Sequence, residues 1–407
     1  MDDNIEIPEY FICPISLQIM KDPITAISGI TYDRESIENW LFKRHNTICP
    51  VTKQPLPRDP ELTPNHTLSR LIQAWCTSNG IDRIATPKPP LSKLYVMNLI
   101  RDLSVQDLQL KTLQKLESLA MENDRNRVCM VEAGLGEALT SFIISCYRRR
   151  SEMINGLEEA LSILYILRRS LVSMGPLTED DEIIESLIWI LAGDYNPSVK
   201  SHAAHALKSV IQKANPGLLQ RLKPEFFKTI TSNIRDKNTK TLIPQQASNA
   251  LLHVLLQTCP WGRNRVAMIE SGSVFSLVEV ELRSPEKKTT ELVLGILYHL
   301  CSCSDGRAQL LNHAAGIAVI ARRILVISTT SDDRAVMIVW LLCKYSATNG
   351  VLQEMLRVGT VAKLCMVMQS NCAWRLKEKI REILKRHYDV WKDSPCVEVA
   401  FLTGCVR

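Results

Sequence analysis

Five side chains in the first 80 residues could ligate a metal ion, namely Cys13, His45, Cys49, His66 and Cys76. A small module built around two structural zinc ions needs eight Cys or His ligands, commonly with pairs spaced C-x-x-C. This segment has too few ligands and no such pair. The sequence therefore predicts that neither a metal ion nor another cofactor organises it.

The thiols of Cys13 and Cys49 could instead act as nucleophiles. A catalytic thiol is normally activated by a base such as His, and neither cysteine belongs to a motif that pairs it with one. Each is followed by proline, as in Cys13-Pro14, which is typical of a rigid loop. We interpret Cys13, Pro14 and Cys49 as residues that shape loops, and we keep a covalent intermediate on a thiol as a rival hypothesis.

Both thiols lie in apolar loops that prolines interrupt, residues 7–17 and 48–57. The elements between and after these loops must position the loops. Ser28-Gly29 separates two short β-rich runs, which predicts a β-hairpin because glycine tolerates positive φ. Asp33 is expected to cap a helix that ends near His45, and Asn65 to cap a second helix. The apolar positions expected to face the core are Ile37, Trp40 and Leu41 in the first helix and Leu68, Leu71, Ile72 and Trp75 in the second.

From residue 93 onward the sequence repeats a helical pattern. Residues 125–134 resemble residues 263–272, and the offset of 138 residues is three times 46. Glycines expected to permit a sharp turn between helices follow at related spacings: Gly134, Gly272, Gly316 and Gly359. A period of about 43–46 residues is typical of armadillo or HEAT repeats, whose units bury their apolar faces only by stacking.

These patterns predict the domain organisation. A small α+β domain spans residues 7–80, and a stiff, proline-rich linker spans residues 81–92. An α-solenoid of about six repeats spans residues 93–393, and residues 394–407 form a C-terminal tail. The fold class is therefore mainly α, in agreement with a content of only 6% aromatic residues.

The charge is distributed unevenly. Residues 1–80 hold seven basic and ten acidic residues, so their net charge is −3. Because the whole chain carries +6, residues 81–407 carry a net charge of +9. The basic residues of the array are scattered among acidic ones and lack interleaved aromatics, so we do not expect nucleic-acid binding.

Cysteine usage and hydropathy indicate the compartment. The chain has thirteen cysteines, and it shows neither a secretion signal nor an apolar run of about 18 residues that would make an integral membrane segment. We expect reduced thiols in the cytoplasm, with the nucleus as a second location.

The N-terminal residues resemble the U-box family, a zinc-free relative of the RING domain. The resemblance rests on residues 7–15, Asp22-Pro23, residues 28–34, residues 49–52 and Pro64-Asn65. Together with the repeats it covers nearly the whole chain, which looks like a short plant U-box ubiquitin ligase with an N-terminal U-box and armadillo repeats.

The resemblance implies a ligase with no covalent ubiquitin intermediate and therefore no covalent catalytic residue. Such a ligase binds a ubiquitin-charged conjugating enzyme and promotes transfer to substrate lysines by positioning. The residues that match the family's conjugating-enzyme-binding surface are Ile15, Leu17, Trp40, Pro50 and Lys53. Where Lys53 stands, family members often place Arg, whose planar fork a single ammonium cannot reproduce.

The resemblance also implies that hydrogen bonds and salt bridges replace the zinc ions. The candidate residues are Asp22, Asp33, Glu35, Glu38, Lys43 and Arg44. The armadillo groove is expected to select protein substrates, and its positive charge favours acidic or phosphorylated ones. Family members mark proteins for proteasomal degradation in plant immune and stress signalling, modify themselves and form oligomers.

A rival from another class is a non-catalytic armadillo scaffold or adaptor, in which the N-terminal module serves only in dimerisation. The sequence names neither the substrate nor the conjugating enzyme. Four Ser/Thr-Pro dipeptides are potential phosphorylation sites: Thr63, Thr86, Ser284 and Ser394.

Overall fold

The computed structural model describes residues 7–43, 46–56, 62–79, 91–149, 155–171, 181–235, 243–283, 285–395 and 397. The chain divides into two compact units, which meet in sequence between Pro90 and Leu91. Residues 81–90 of the predicted linker lie outside the described residues.

The first unit contains a three-stranded antiparallel sheet. Its central strand, β1 (Pro23–Thr25), pairs with β2 (Thr31–Asp33) on one side and with β3 (Thr63–Pro64) on the other. The turn between β1 and β2 has Gly29 at φ 77°, which confirms the predicted hairpin. β3 was not predicted, because it is only two residues long and its proline is tolerated only at a sheet edge.

Short helices surround this sheet. A 3-10 helix (Glu9–Phe11) precedes it, α1 (Arg34–Glu38) follows β2 and continues as a π-helical turn (Asn39–Lys43), and α2 (His66–Ser78) follows β3. The predicted cap of α2 is confirmed, because Asn65 Oδ1 accepts a hydrogen bond from Leu68 N at 3.0 Å.

Two expectations about these helices are wrong. The Asp33 carboxylate does not cap α1; its Oδ1 accepts hydrogen bonds from the backbone N–H groups of Lys21 (2.7 Å) and Asp22 (2.9 Å), which the sheet ladder leaves available. Leu71 does not face the core, since its side chain is 51% exposed. The buried face of α2 runs through Ile72 and Cys76, and Leu71 lies about 100° away from Ile72.

The second unit is entirely helical in its described residues. A 3-10 helix (Gln106–Leu108) links the first two helices of the unit. The helices are α3 (Lys93–Asp102), α4 (Gln109–Glu122), α5 (Asp124–Glu132), α6 (Leu135–Arg149), α7 (Leu157–Leu171), α8 (Asp181–Ala192), α9 (Pro197–Lys213), α10 (Pro216–Gln220), α11 (Pro224–Arg235), α12 (Gln245–Thr258), α13 (Gly262–Glu270), α14 (Ser273–Leu282), α15 (Lys287–Cys301), α16 (Ser304–Asn312), α17 (Gly316–Arg323), α18 (Thr329–Tyr345), α19 (Asn349–Arg357), α20 (Thr360–Gln369), α21 (Trp374–Arg386) and α22 (Tyr388–Trp391).

These helices form layers that run along the array. The helices α4, α7, α9, α12, α15, α18 and α21 pack against one another in this order, and we call them the long-helix layer. A second layer contains α6, α8, α11, α14, α17 and α20, again packed in sequence. This short-range repetition is the architecture of a solenoid, in which each unit contacts its neighbours and one apolar core continues through all of them.

The glycine junctions are confirmed at three of four positions. Gly134, Gly272 and Gly359 have φ of 86°, 76° and 77°, respectively. Gly316 is not left-handed; it opens α17 directly, and a Cβ there would come within 2.0 Å of Leu310 O. Close backbone approach rather than positive φ therefore requires this glycine.

Other features of the sequence have the following locations. Thr63 is exposed and Ser394 is half-buried, whereas Thr86 and Ser284 lie outside the described residues. Val397 is buried in the core of the array. Among the helices that the structure describes, no single one is long and apolar enough to cross a membrane; α5 and α6 reach that length and composition only as a pair bent by 71°.

Candidate functional site

Loop one, residues 12–19, is a hydrogen-bonded turn that projects Leu17. Cys13 N donates to Gln18 O at 2.8 Å, and Leu17 N donates to Cys13 O at 2.9 Å. An antiparallel bridge between the first and last residues closes the loop.

Loop two, residues 48–55, repeats this turn bond for bond. Cys49 N donates to Gln54 O at 2.8 Å, Lys53 N donates to Cys49 O at 3.1 Å, and a bridge again joins the two ends. Lys53 therefore occupies in loop two the position that Leu17 occupies in loop one.

Leu17 and Lys53 share an unusual backbone conformation. Their φ angles are 55° and 59°, in the left-handed region that costs a residue with a Cβ roughly 1–2 kcal/mol. Burial does not offset this cost, because Leu17 is 77% exposed and Lys53 is exposed. Strained, outward-facing side chains at two equivalent turns are typical of residues retained for contact with another molecule.

The remaining apolar residues of the loops are less exposed. Ile15 is half-buried and packs against the core of the first unit, and Pro50 is also half-buried. Val51, which corresponds to Ile15 in loop two, is 47% exposed. The loops thus present a mixed surface, whose exposed apolar residues are Leu17, Val51 and Ile48, the last 44% exposed.

Trp40 connects the central helical segment to loop two. It lies in the π-helical turn, where its ring is half-buried against the core. Its indole Nε1 donates to Ile48 O at 2.9 Å. Because Ile48 opens loop two, this bond fixes the loop relative to the helix.

Charged groups hold the segment that joins loop one to the sheet. Asp22 Oδ2 accepts from Arg34 Nε at 2.5 Å, and Arg34 N donates back to Asp22 O at 2.9 Å. Arg34 also lies 3.7 Å from Glu38 Oε1. With the Asp33 carboxylate on the Lys21 and Asp22 amides, these contacts involve three of the six candidates, Asp22, Asp33 and Glu38. Glu35 is exposed, and Arg44 and the Lys43 side chain lie outside the described residues.

The Cys13 and Cys49 thiols are hydrogen-bond centres. Cys13 Sγ accepts from Asp33 N at 3.3 Å. Cys49 Sγ lies 3.0 Å from Tyr32 Oη and 3.4 Å from Ser28 Oγ, and it accepts from Thr52 N at 3.3 Å. Both thiols have no exposed surface. Each thiol therefore ties its loop to the β-hairpin.

Hydrogen bonds outweigh burial in setting the acidity of these thiols. Burial raises the pKa of Cys49, but hydrogen bonds with Ser28, Thr52 and Tyr32 lower it to about 6. The pKa of Cys13 is lowered in the same way: burial raises it, and backbone hydrogen bonds from Ser16 and Asp33 more than compensate. A thiolate at either position lies inside the domain, where a thioester cannot reach it.

Among the described residues, no group of three or more His, Cys, Asp or Glu side chains could hold a metal ion. The contacts described above supply the connections between the loops and the sheet.

Two family models match the chain. The U-box domain model matches residues 7–81, and the model of the plant U-box protein ARM repeat region matches residues 95–405. The chain belongs to the plant U-box ubiquitin ligases. Curated relatives from Arabidopsis thaliana agree: E3 ubiquitin-protein ligase PUB24 is 42% identical over 99% of this chain and 96% of its own length, and E3 ubiquitin-protein ligase PUB23 is 43% identical over 98% and 96%.

A third relative, E3 ubiquitin-protein ligase PUB22 from Arabidopsis thaliana, is 38% identical over 98% of both chains. The plant U-box ligase described here therefore aligns with nearly the full length of these relatives. It is a RING-type ligase whose partners are a conjugating enzyme and protein substrates.

The five residues predicted to bind the conjugating enzyme all lie on loop one, the π-helical turn and loop two. Three other residues of this region were not predicted: Arg34, which pairs with Asp22, Tyr32, which contacts Cys49, and the exposed Val51. A signal for the loops was present, because Cys-Pro-Ile-Ser-Leu-Gln from Cys13 and Cys-Pro-Val-Thr-Lys-Gln from Cys49 share one pattern. No comparable signal marked Arg34 as the partner of Asp22.

The long-helix layer carries a second set of polar groups. A cavity of about 310 Å³ opens beside α7 and α9, with Leu164, Ile183 and Leu187 in its walls. Arg168 and Lys213 also line it. Cationic groups and apolar surface therefore occur together on this layer.

Proposed function

We propose that the plant U-box ligase binds its charged conjugating enzyme through a docking face formed by Ile15, Leu17, Trp40, Pro50 and Lys53. The observation that carries this proposal is the pair of matched loops, each with an exposed side chain held at positive φ. Stability alone gives no reason for Leu17 to remain exposed in a conformation that glycine would adopt more easily.

The mechanism is one of positioning. The U-box holds the thioester of the conjugating enzyme in an orientation open to attack by a substrate lysine, and no thiol of the ligase takes part. Lys53 donates a hydrogen bond to the conjugating enzyme and to ubiquitin together, and it does so with one ammonium where Arg would offer two parallel donors.

We further propose that the long-helix layer binds substrates and that ubiquitin transfer marks them for proteasomal degradation in plant immune and stress signalling. Self-association and self-modification are part of this proposal. It places the protein in the cytoplasm, with a second population in the nucleus. The support is the family membership.

The proposal is tested by mixing the purified protein with ubiquitin, activating enzyme, ATP and a panel of conjugating enzymes. The wild type is expected to form polyubiquitin chains, and Ile15→Ala and Trp40→Ala are expected to reduce chain formation. Leu71→Ala is a matched control, because Leu71 is an exposed apolar residue of the same unit outside the docking face.

Three outcomes separate the alternatives. Failure to form chains with every conjugating enzyme would favour the scaffold or adaptor. A ubiquitin adduct on the protein that a reducing agent removes would support a thiol mechanism. Full activity in both docking-face variants would exclude the proposed face.

A further inference from the structure

A row of cationic side chains crosses the long-helix layer of the second unit. It consists of Arg168 on α7, Lys208 on α9 and Lys288 on α15, and we call these three residues the basic row. With α12 between α9 and α15, the four helices pack against one another in order.

Contacts with α12 bring the helices of the two lysines together: Thr289, next to Lys288, donates to Asn249 Oδ1 at 2.6 Å, and Gln257 donates to Ile211 O, near the end of α9, at 3.2 Å. Two histidines lie among the cations. Burial, together with the charges of Arg168 and Lys208, lowers the pKa of His205 to about 4. Burial and the charges of Lys208 and Lys288 likewise lower the pKa of His253, on α12, to about 4. Burial and Lys288 also lower the pKa of Lys208. Positive charges from successive repeats are therefore close enough to repel one another.

Carboxylates do not balance the centre of the row. Within the described part of the chain, neither Lys208 nor Lys288 makes an ion pair. Elsewhere in the array exposed cations do find partners; Lys223 Nζ, for example, lies 2.5 Å from Glu185 Oε1. The basic row thus keeps a local excess of positive charge that the fold does not use.

Acidic residues lie near the ends of the row and keep their negative charge. Glu117 and Glu158 raise the pKa of His202, which places them at the α7 end. Neutral donors bind these carboxylates without cancelling their charge: Ser162 Oγ donates to Glu117 Oε1 (2.5 Å), Asn196 Nδ2 to Glu158 Oε1 (3.2 Å) and, on α15, Ser328 Oγ to Glu291 Oε1 (2.6 Å). Among the described residues, the positive charges without an ion-pair partner thus include those of Lys208 and Lys288.

Aromatic stacking orients the first member of the row. The Arg168 guanidinium lies 3.8 Å from the centre of the Tyr165 ring, and the same ring stacks with His202 at a centroid distance of 4.9 Å. A guanidinium held flat on a ring loses less conformational entropy when it binds a carboxylate.

We propose that the basic row binds an extended acidic segment of a protein substrate. This inference rests on the proposed substrate-binding role of the long-helix layer and adds the chemistry of the substrate. Four helices at a spacing of about 9–10 Å cover roughly 30 Å, which an extended segment of about nine residues spans. Carboxylates along such a segment would offset the repulsion among the three cations.

The proposal is tested by fluorescence anisotropy with the full-length protein. The probe is a labelled peptide of alternating Glu and Ser, about twelve residues long so that it spans the row. The wild type is expected to bind it, and Lys208→Gln/Lys288→Gln is expected to weaken binding about tenfold. Lys208→Arg/Lys288→Arg keeps the charge and is expected to keep the affinity.

A matched control removes the same charge elsewhere. Lys228 on α11 and Lys392 beyond α22 are both exposed, and Lys228→Gln/Lys392→Gln is expected to bind the peptide as the wild type does. Equal binding by the basic-row variant and this control would overturn the proposal. So would wild-type binding of phosphatidylserine vesicles or single-stranded RNA without binding of the peptide.

Separate assays distinguish a failure of this inference from a failure of the ligase proposal. The peptide assay contains no conjugating enzyme, so it reports on the basic row alone. In the ubiquitination mixture without substrate, the basic-row variant is expected to form chains at the wild-type rate. If polyubiquitin chains form but the peptide does not bind, the basic row is rejected as a binding site. If the peptide binds but no polyubiquitin chains form, the ligase proposal is rejected and the basic row is retained as a binding site.

Discussion

The indole Nε1 of Trp40 donates a hydrogen bond to the backbone carbonyl oxygen of Ile48 at 2.9 Å. This contact joins the π-helical turn to the first residue of loop two. The proposed docking face spans both elements, so this bond helps to hold its helical part against its loop part.

Trp40→Phe tests this connection, because it removes the donor and keeps an aromatic ring. We expect a loss of about 1 kcal/mol or less, since water can replace the donor at an exposed carbonyl. Hydrogen exchange at residues 46–56 is expected to become faster. Trp75→Phe is the control: Trp75 contacts Phe11 with ring centres 5.7 Å apart, and its replacement should leave exchange in loop two unchanged.

Leu17→Gly separates stability from binding. Glycine adopts φ near 55° without the cost that a Cβ imposes, so we expect the first unit to become more stable by up to about 1 kcal/mol. Affinity for the conjugating enzyme is expected to fall, because the exposed side chain is lost. Urea denaturation of a fragment of residues 1–90 and calorimetric titration with a conjugating enzyme measure the two effects. A destabilised variant with unchanged affinity would assign Leu17 to the core.

Cys49 makes the stability of the first unit depend on pH. Its folded pKa of about 6 lies below the ordinary value of 9.0, so the unfolded chain binds more protons between these values. The stabilisation is therefore complete above pH 9 and is lost as the pH falls through 6. Urea denaturation of the same fragment should show the free energy of unfolding rising from pH 6 to pH 9.

Two serine variants isolate this effect. Cys49→Ser removes the titrating thiol, and the rise in stability between pH 6 and 9 is expected to become smaller. Cys76 is also a buried cysteine of the first unit, and Cys76→Ser should retain the rise. An identical pH dependence in Cys49→Ser and the wild type would show that the thiol does not titrate in this range.

Two glycines of the array are needed for different reasons, and alanine substitutions distinguish them. Gly272 has φ 76° and open space around a Cβ, so Gly272→Ala should cost roughly 1–2 kcal/mol of backbone strain. In Gly306→Ala a Cβ would lie 2.1 Å from Leu300 O, and the backbone would have to move. Gly350→Ala has neither problem. In thermal melts of the full chain, we expect the melting temperature of Gly306→Ala to be lower than that of Gly272→Ala, and that of Gly350→Ala to be close to the wild-type value.

The sequence predicted those parts of the structure that follow from local chemistry or periodicity. The Asn65 cap, the hairpin at Gly29 and the repeats were foreseen because a cap, a turn and a 43–46-residue period each leave a local pattern. Asp33 looked equally suited to capping, but tertiary contact with the Lys21 and Asp22 amides redirected its carboxylate.

The site was predicted only in part, for a similar reason. Family resemblance pointed to Leu17 and Lys53, but their positive φ and shared turn are backbone properties that residue type does not show. The basic row could not be predicted, because its members are 40 and 80 residues apart and become neighbours only when successive repeats stack.

The docking face is tested most directly by the rate at which a ubiquitin-charged conjugating enzyme discharges ubiquitin to free lysine. We predict that the wild-type protein accelerates this discharge and that Leu17→Gly, although folded, lowers the acceleration about tenfold, the equivalent of about 1.4 kcal/mol. Leu71→Ala should match the wild type. Equal discharge by the wild type and Leu17→Gly would contradict the proposed face.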